Sequence, residues 1–373
     1  MSAIRVLKGG LVFDGAGILD DYAVVIGPDH VVDVMPAGDA PHGEVVFLDG
    51  DILCPPFVDL QVNGGGGVLF NDAPTEAGLA TIAAAHREAG TQTILPTLIT
   101  DTPEVTRAAI DAVATTAVAG IAGLHLEGPH LTPDKAGAHD RGLIRPMGPD
   151  DLDMYLDAAR KVPRLLITLA PEAVAPQDIA TLARAGVTVS LGHSAADYST
   201  AMAAFDAGAS MATHLFNAMG PVHHRDPGLP GAALSRADVG VGVIADGLHV
   251  HPAMLGAARR AKMGADTLFL VTDAMAPFGT GATTFSLMGR SVRVHGPRLT
   301  LEDGTLAGAN TDMLGAIRVL VEDAATPLRH ALAMATRAPA LAAGLPAPAG
   351  QMTRGSPLPL RLARDLSALK ALA

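Results

Sequence analysis

Two rhythms of apolar and polar positions divide the chain. Over residues 1–54 they alternate in short runs broken by turn residues: "IRVLKGGLVFDG", "YAVVIGPDHVVDVMP" and "GEVVFLDGDILCPP". Period-two alternation bounded by Gly, Pro and Asp predicts strands, here a small antiparallel β unit. From about residue 55 short apolar runs take over: "PFVDLQVNG", "TQTILPTLIT", "IAGLHLEGP", "RLLITLAPE", "VTVSLGHS", "SMATHLFNA", "VGVGVIADGLHV" and "TLFLVTDA". Between most of them lie segments of helical period, such as "TEAGLATIAAAHREAG", "TPEVTRAAIDAVATT" and "PQDIATLARAG". Eight β-then-α units over about 230 residues predict an α/β fold, a (β/α)8 TIM-type barrel. A doubly wound open sheet permits the same alternation, but the count of eight favours the barrel.

After the eighth strand, "TTFSLMGRSVRVHGPRLTLEDGTLAG" reads as a β-hairpin insertion at about 283–308. A helical stretch follows, and the Pro-rich tail ends in weakly β-like "SPLPLRLARDLSALKALA". The expected organisation is a barrel over 55–344 and a small β-sandwich domain formed by both chain ends, 1–54 plus 345–373.

The active site of such a barrel lies at the C-terminal ends of its strands. Strand 1 presents Asp59, Gln61 and Asn63 there, strand 3 His125 and Glu127, strand 5 His193 and strand 6 His214. Strand 7 presents Asp246 and His249, and strand 8 Asp273. Glu127 closes an apolar run, where a bare carboxylate is costly unless a cation meets it. Two imidazoles and a carboxylate from neighbouring strands, Glu127, His193 and His214, suit a catalytic divalent metal such as zinc, with one position left for water. Such an ion lowers the pKa of its water to about 7, and Asp273 could take that proton and give it to a leaving amine. A lone strand-end histidine is more often structural, and His86, His330 and His42 get only that reading. Four chemically matched groups at four strand ends together are harder to explain as coincidence.

Composition narrows the partners. Of 373 residues 49% are apolar and 17% charged, so the chain is globular. A net charge of −12 and 3% aromatics argue against nucleic acid and against anionic membrane surfaces. No run approaches a membrane span, the start has no secretory h-region, and a single cysteine, Cys54, excludes cysteine-based zinc sites. A cytoplasmic enzyme is expected. Any anionic ligand must be held by a local cluster that overrides the global field.

The segments "PPFVDLQVNG", "LPTLIT", "GLHLEGPHL", "LGHSAAD", "ATHLFNAMG", "IADGLHV", "LVTDAMAP" and "GTLAGA" resemble the N-acetylglucosamine-6-phosphate deacetylases of the amidohydrolase superfamily, across about residues 1–345. The resemblance implies hydrolysis of the acetamide of an amino-sugar phosphate, with Glu127, His193 and His214 as metal ligands and Asp273 as acid/base. It also implies that His139 polarises the substrate carbonyl, and that backbone N–H groups of Asn217 and Ala218 meet the phosphate. Arg225 and His249 match the phosphate's side-chain partners, the arginine reaching the neighbouring site of a homodimer. The segment Leu306-Ala307-Gly308 matches one lying against the sugar, and Ala138, Asp246, Gly247 and Leu248 match further substrate-binding positions.

Where many amidohydrolases carry a His-x-His pair for a second metal, this chain has Gln61 and Asn63. Amides are poor ligands beside imidazole, so one metal per subunit is expected. A cyclic-amidase reading lacks those histidines and the strand-4 lysine, and a non-catalytic scaffold should have lost ligands that are all present. The epimer of the sugar stays open between glucosamine and galactosamine. His130, where an aromatic residue is expected, has no assigned role.

Overall fold

The computed structural model describes residues 4–372. Eight parallel strands follow one another in chain order around one sheet: β1 (Phe57–Val62), β2 (Thr91–Ile99), β3 (Leu124–Glu127), β4 (Leu165–Leu169), β5 (Thr188–Leu191), β6 (Met211–Ala212), β7 (Gly240–Val243) and β8 (Leu268–Leu270). The sheet closes on itself. Val62 bridges Ala274 in parallel, and the Asp273 N–H donates to the Gln61 carbonyl at 3.0 Å. The fold is therefore a (β/α)8 barrel, with both faces of its strands buried as their continuous apolar runs require.

Helices α1 (Glu76–Glu88), α2 (Pro103–Thr115), α3 (Pro149–Lys161), α4 (Pro176–Arg184), α5 (Tyr198–Asp206), α6 (Gly228–Ser235) and α7 (Pro252–Ala261) form the outer ring. Helix α2 shows why they form. Thr102 caps it by accepting from the Val105 N–H, Pro103 opens it, and the buried Thr106, Ala109, Ile110 and Val113 recur at helical spacing. A second apolar layer, including Val58, Leu60, Leu95, Leu166 and Phe269, fills the lower barrel. Among the described residues no helix is long and apolar enough to cross a membrane.

Both chain ends build β structure beside the barrel. One sheet pairs Val31–Pro36, Tyr22–Ile26, Arg5–Lys8 and Glu44–Phe47 in that order. The other pairs Leu369–Lys370, Leu360–Leu362, Ile52–Cys54, Leu11–Phe13 and Ile18–Leu19, so the tail docks on the N-terminal segment. The unit is mixed rather than purely antiparallel. Arg5–Lys8 runs parallel to Glu44–Phe47, and Leu11–Phe13 parallel to Ile52–Cys54, because the chain makes two similar passes through the unit.

The insertion after β8 also differs from the single hairpin expected. It is a four-stranded antiparallel sheet of Thr284–Leu287, Arg290–His295, Arg298–Thr300 and Leu306–Ala309. Its last strand returns to the barrel through a bridge between Ala309 and Ala274.

Candidate active site

The strand ends converge on one mouth. The Glu127 Oε1 atom lies 3.3 Å from His193 Nε2 and 3.1 Å from His214 Nε2, and the two imidazole nitrogens are 3.0 Å apart. Glu127, His139 and His193 also bring donor atoms within 4.8 Å of one another. His193 and His214 sit just past β5 and β6 at φ of 49° and 31°, left-handed turns that swing each ring over the barrel axis. Burial acts to raise the Glu127 pKa, and the facing imidazoles of His193 and His214 hold it well below the usual range. A carboxylate and imidazoles crowded this closely fit a divalent cation.

Four donors offer themselves where three would serve, and tautomers separate them. The Nδ1 atom of His193 faces the Lys135 carbonyl at 2.8 Å, which can only accept. That ring carries its proton on Nδ1 and turns a lone pair on Nε2 toward Glu127. His139 is the reverse. The Thr100 backbone N–H donates to its Nδ1 at 3.3 Å, with the Thr100 hydroxyl 2.8 Å away. Burial pushes its pKa down to about 3, so the ring is neutral and bears its proton on Nε2. An N–H is a donor and no ligand.

Gln61 and Asn63 occupy the place expected of a second metal and act as donors. Gln61 Nε2 donates to Glu127 Oε1 and to Asp273 Oδ1, each at 3.1 Å, bridging two carboxylates. Asn63 Nδ2 donates to the same Asp273 oxygen at 2.7 Å. Both amides land on Oδ1, which leaves Oδ2 of Asp273 to handle a proton. Burial first, and then the Glu127 charge, push Asp273 up to about 6.

These groups line a cavity of about 330 Å³. Of the residues singled out for substrate, Ala138, His139, Asn217, Ala218, His249, Leu306 and Gly308 line it. Asp246 instead shapes a turn: its Oδ1 accepts from the Leu248 and His249 N–H groups, and its Oδ2 holds His249 Nδ1 at 2.7 Å. Gly247, Leu248 and the buried Ala307 are not in the lining. The Asn217 N–H donates to the His214 carbonyl at 2.9 Å, whereas the Ala218 N–H has no such partner among the described residues. Arg225 lies outside the lining on an exposed loop.

The remaining residues settle into plain roles. His125 lies deeper in the barrel between the Thr97 and Thr168 hydroxyls. Asp59 accepts from the Gln61 N–H and from Thr272, tying β1 to β8. His86 bonds the Gly64 carbonyl at 2.9 Å and stacks on Phe278. His130 bonds Tyr155 Oη at 2.9 Å, pinning the loop that carries His139 to α3. Thr100, Lys135, Ile99, Met275 and Leu287 also belong to this mouth, yet sequence reasoning passed over them. Four of them lie in segments already singled out, Ile99 and Thr100 in "LPTLIT", Met275 in "LVTDAMAP" and Leu287 in the insertion, but none carried a signal of its own.

A closed barrel whose mouth gathers imidazoles and carboxylates around one point defines a hydrolase of the metal-dependent class. Residues 52–357 match the amidohydrolase family model. A relative from Shewanella sp. (strain ANA-3), an N-acetylgalactosamine-6-phosphate deacetylase, is 41% identical over 339 residues, 90% of this chain and 84% of its own. An N-acetylglucosamine-6-phosphate deacetylase from Haemophilus influenzae is 33% identical over 91% of this chain and 89% of its own. The N-acetyl-D-glucosamine-6-phosphate deacetylase of Mycobacterium smegmatis, solved as a mutant with N-acetyl-D-glucosamine-6-phosphate, superposes with a TM-score of 0.91 at 34% identity, covering 99% and 97% of the two chains. The chain belongs to the amidohydrolase family and, within it, to the N-acetylglucosamine-6-phosphate deacetylase family.

Proposed function

We infer that this protein hydrolyses the acetamide of N-acetylglucosamine 6-phosphate, releasing acetate and glucosamine 6-phosphate in amino-sugar catabolism. The observation that carries the reading is the convergence of Glu127, His193 and His214 beside Asp273, with His139 in the donor tautomer. Glu127, His193 and His214 would hold one divalent ion per subunit, zinc being the first choice for His₂Glu. When bound, that ion supplies hydroxide at neutral pH and Lewis acidity toward the carbonyl.

The chain's own residues do the rest. Asp273 Oδ2 takes a proton from water as its oxygen adds to the acyl carbon, and delivers it to the amide nitrogen as the C–N bond breaks. A pKa raised by burial suits both transfers, and a bound cation would draw it partly back down. The Nε2–H of His139 donates to the acyl oxygen, where negative charge develops. The Ala218 N–H and His249, held by Asp246, face the phosphate. Arg225 supplies a bidentate fork from the neighbouring subunit of a homodimer, which accounts for its absence from its own cavity. A phosphorylated sugar is confined to the compartment where it forms, so the enzyme acts in the cytoplasm.

The 41% identity to a galactosamine-type enzyme favours a second reading, N-acetylgalactosamine 6-phosphate as substrate. Acetate release from both epimers, with metal content measured on the same sample, tests both. No release from either refutes the function, and the larger kcat/KM names the sugar.

A further inference from the structure

The wall of the cavity changes character from one side to the other. On the β6–β7 side and around the rim stand the polar Asn217, His249, Asp134, Lys135 and Thr305, with the apolar Ala218 and Ile244 among them. Across the barrel, β2 ends on Ile99, which joins Ala138, Met275 and Leu287 in one apolar cluster. Ile99, Met275 and Leu287 are 5%, 2% and 0% exposed.

Three of the four adjoin a reacting group in sequence or in strand register. Ile99 is the register partner of Glu127 and precedes Thr100, which fixes the His139 tautomer. Ala138 precedes His139, and Met275 stands two residues after Asp273. Met275 is seated against bare backbone. A Cβ on Gly308 (φ +65°) would fall 2.5 Å from its Cγ and 2.9 Å from the Asp273 carbonyl.

Leu287 comes from outside the barrel. The strands Thr284–Leu287 and Arg290–His295 pair Leu287 with Arg290 across a two-residue turn, Met288 (φ 50°) and Gly289 (φ 77°), the left-handed pair of a type I′ hairpin. The tip of that hairpin closes the wall with Leu287 and clasps the catalytic loop with Arg290, whose guanidinium donates to the Ala138 carbonyl.

The two ends of the substrate amide need opposite surroundings. A sugar's hydroxyls lose hydrogen bonds to water against an apolar wall, and an acyl methyl loses none. We propose that Ile99, Ala138, Met275 and Leu287 form the acyl pocket, and that the inserted hairpin, through Leu287, sets the longest acyl chain the enzyme removes. This rests on the amino-sugar deacylase reading above and adds a determinant to it: acyl selectivity comes from the insertion and not from the barrel alone.

The test uses the full-length metal-loaded enzyme and its Leu287→Ala and Met275→Ala variants. Substrates are the N-acetyl, N-propionyl and N-butyryl forms of glucosamine 6-phosphate and galactosamine 6-phosphate. The parent should prefer acetyl, and each truncation should raise the propionyl-to-acetyl ratio of kcat/KM by roughly ten-fold, the scale of one methylene in an apolar pocket. Metal content and Tm identify a variant that has not folded; Leu287→Val then replaces Leu287→Ala and should shift the ratio in the same direction by less. Ratios within about two-fold of the parent's in folded variants overturn the proposal. So does a larger shift from Leu306→Ala on the sugar side, which should lower both acyl forms alike. If the parent releases no acetate from either sugar the underlying reading fails; an active parent with unmoved ratios refutes the acyl pocket alone.

Discussion

The barrel mouth and the small β unit treat buried charge in opposite ways. At the mouth Glu127 and Asp273 share one amide donor, Gln61 Nε2, at 3.1 Å each, and Asp273 is pushed up to about 6 by burial and by Glu127. In the β unit the buried Asp51 meets Arg361 Nε at 2.7 Å and Lys370 Nζ at 2.8 Å. Burial alone would raise Asp51, and those two cations bring it below its ordinary value. The backbone tells the same story. His193, His214, Phe216, Ala218 and Asp273 all hold positive φ around the mouth, where each costs about 1–3 kcal/mol in a residue with a Cβ. In the β unit the positive-φ residues other than Gly are Asp21, Asp49 and Leu366, and aspartate adopts that conformation more readily. Crowded carboxylates and strained turns at the mouth are held by the closed barrel beneath them. They are the conditions under which a carboxylate can exchange a proton near neutral pH.

The hardest test of that contrast is Asp273→Asn. The amide keeps the shape and removes the basicity, so kcat should fall by roughly 10²–10⁴-fold or more, since one group serves both transfers. Metal content should hold at about one equivalent per chain, because Glu127, His193 and His214 remain and Gln61 and Asn63 are not replaced by imidazoles. Steady-state kinetics with elemental analysis on the same sample decides. A near-normal kcat would make Asp273 a structural carboxylate like Asp51, and two equivalents of metal would contradict the donor role given to Gln61 and Asn63.

Arg225→Ala should act next most strongly, and on binding. Loss of a charge-assisted contact remote from the reacting amide should raise KM by roughly 10–100-fold with metal content unchanged. If the residue serves the neighbouring subunit, mixing Arg225→Ala with Asp273→Asn chains should restore part of the activity, since one site of the mixed dimer is then complete. An unchanged KM removes Arg225 from the phosphate site, and absence of restored activity removes the exchange between subunits.

How much of this was legible in the sequence depends on how local each signal is. The barrel strands announce themselves as short, predominantly apolar runs, because a strand buried on both faces has little room for polar groups. Glu127, His193, His214 and Asp273 stand out as the polar residues ending such runs. Lys135 does not, because it acts through a carbonyl that any residue could supply, and Thr100 does not, because a threonine at a strand's end is common and its hydroxyl meets His139 from 39 residues away. Leu287 and Arg290 reach the mouth through a contact spanning 152 residues, from Arg290 to Ala138, and no periodicity encodes that. The insertion hides two of its four strands because Arg298–Thr300 has only three residues and Leu306–Ala309, "LAGA", has no polar position to mark its alternation. The parallel pairs of the β unit were missed for a related reason. A strand's pattern shows its faces and is silent about the direction of a distant partner.

The smallest expected effect lies in the β unit, and its smallness is what sharpens the comparison. Asp51→Asn keeps the side chain's shape and removes the charge that Arg361 and Lys370 meet. Arg361 is only 13% exposed, so its loss of partner should be felt; Lys370 is 46% exposed, and water screens its share. The cost should be about 1–3 kcal/mol of stability, read as a lower Tm, with kcat unchanged because Asp51 lies outside the cavity lining. The pH dependence has a fixed sign. A carboxylate depressed in the native state contributes its stability above the ordinary aspartate value of about 3.9 and loses it as pH falls further, through the native pKa. The parent's Tm should therefore drop more steeply than the variant's in acid, and the two should approach each other there. Parallel Tm curves from pH 7 to 3 would show that Asp51 carries no charge-linked stability. A fall in kcat for Asp51→Asn would mean that the two regions are coupled, and that the strained mouth depends on the paired charge outside it.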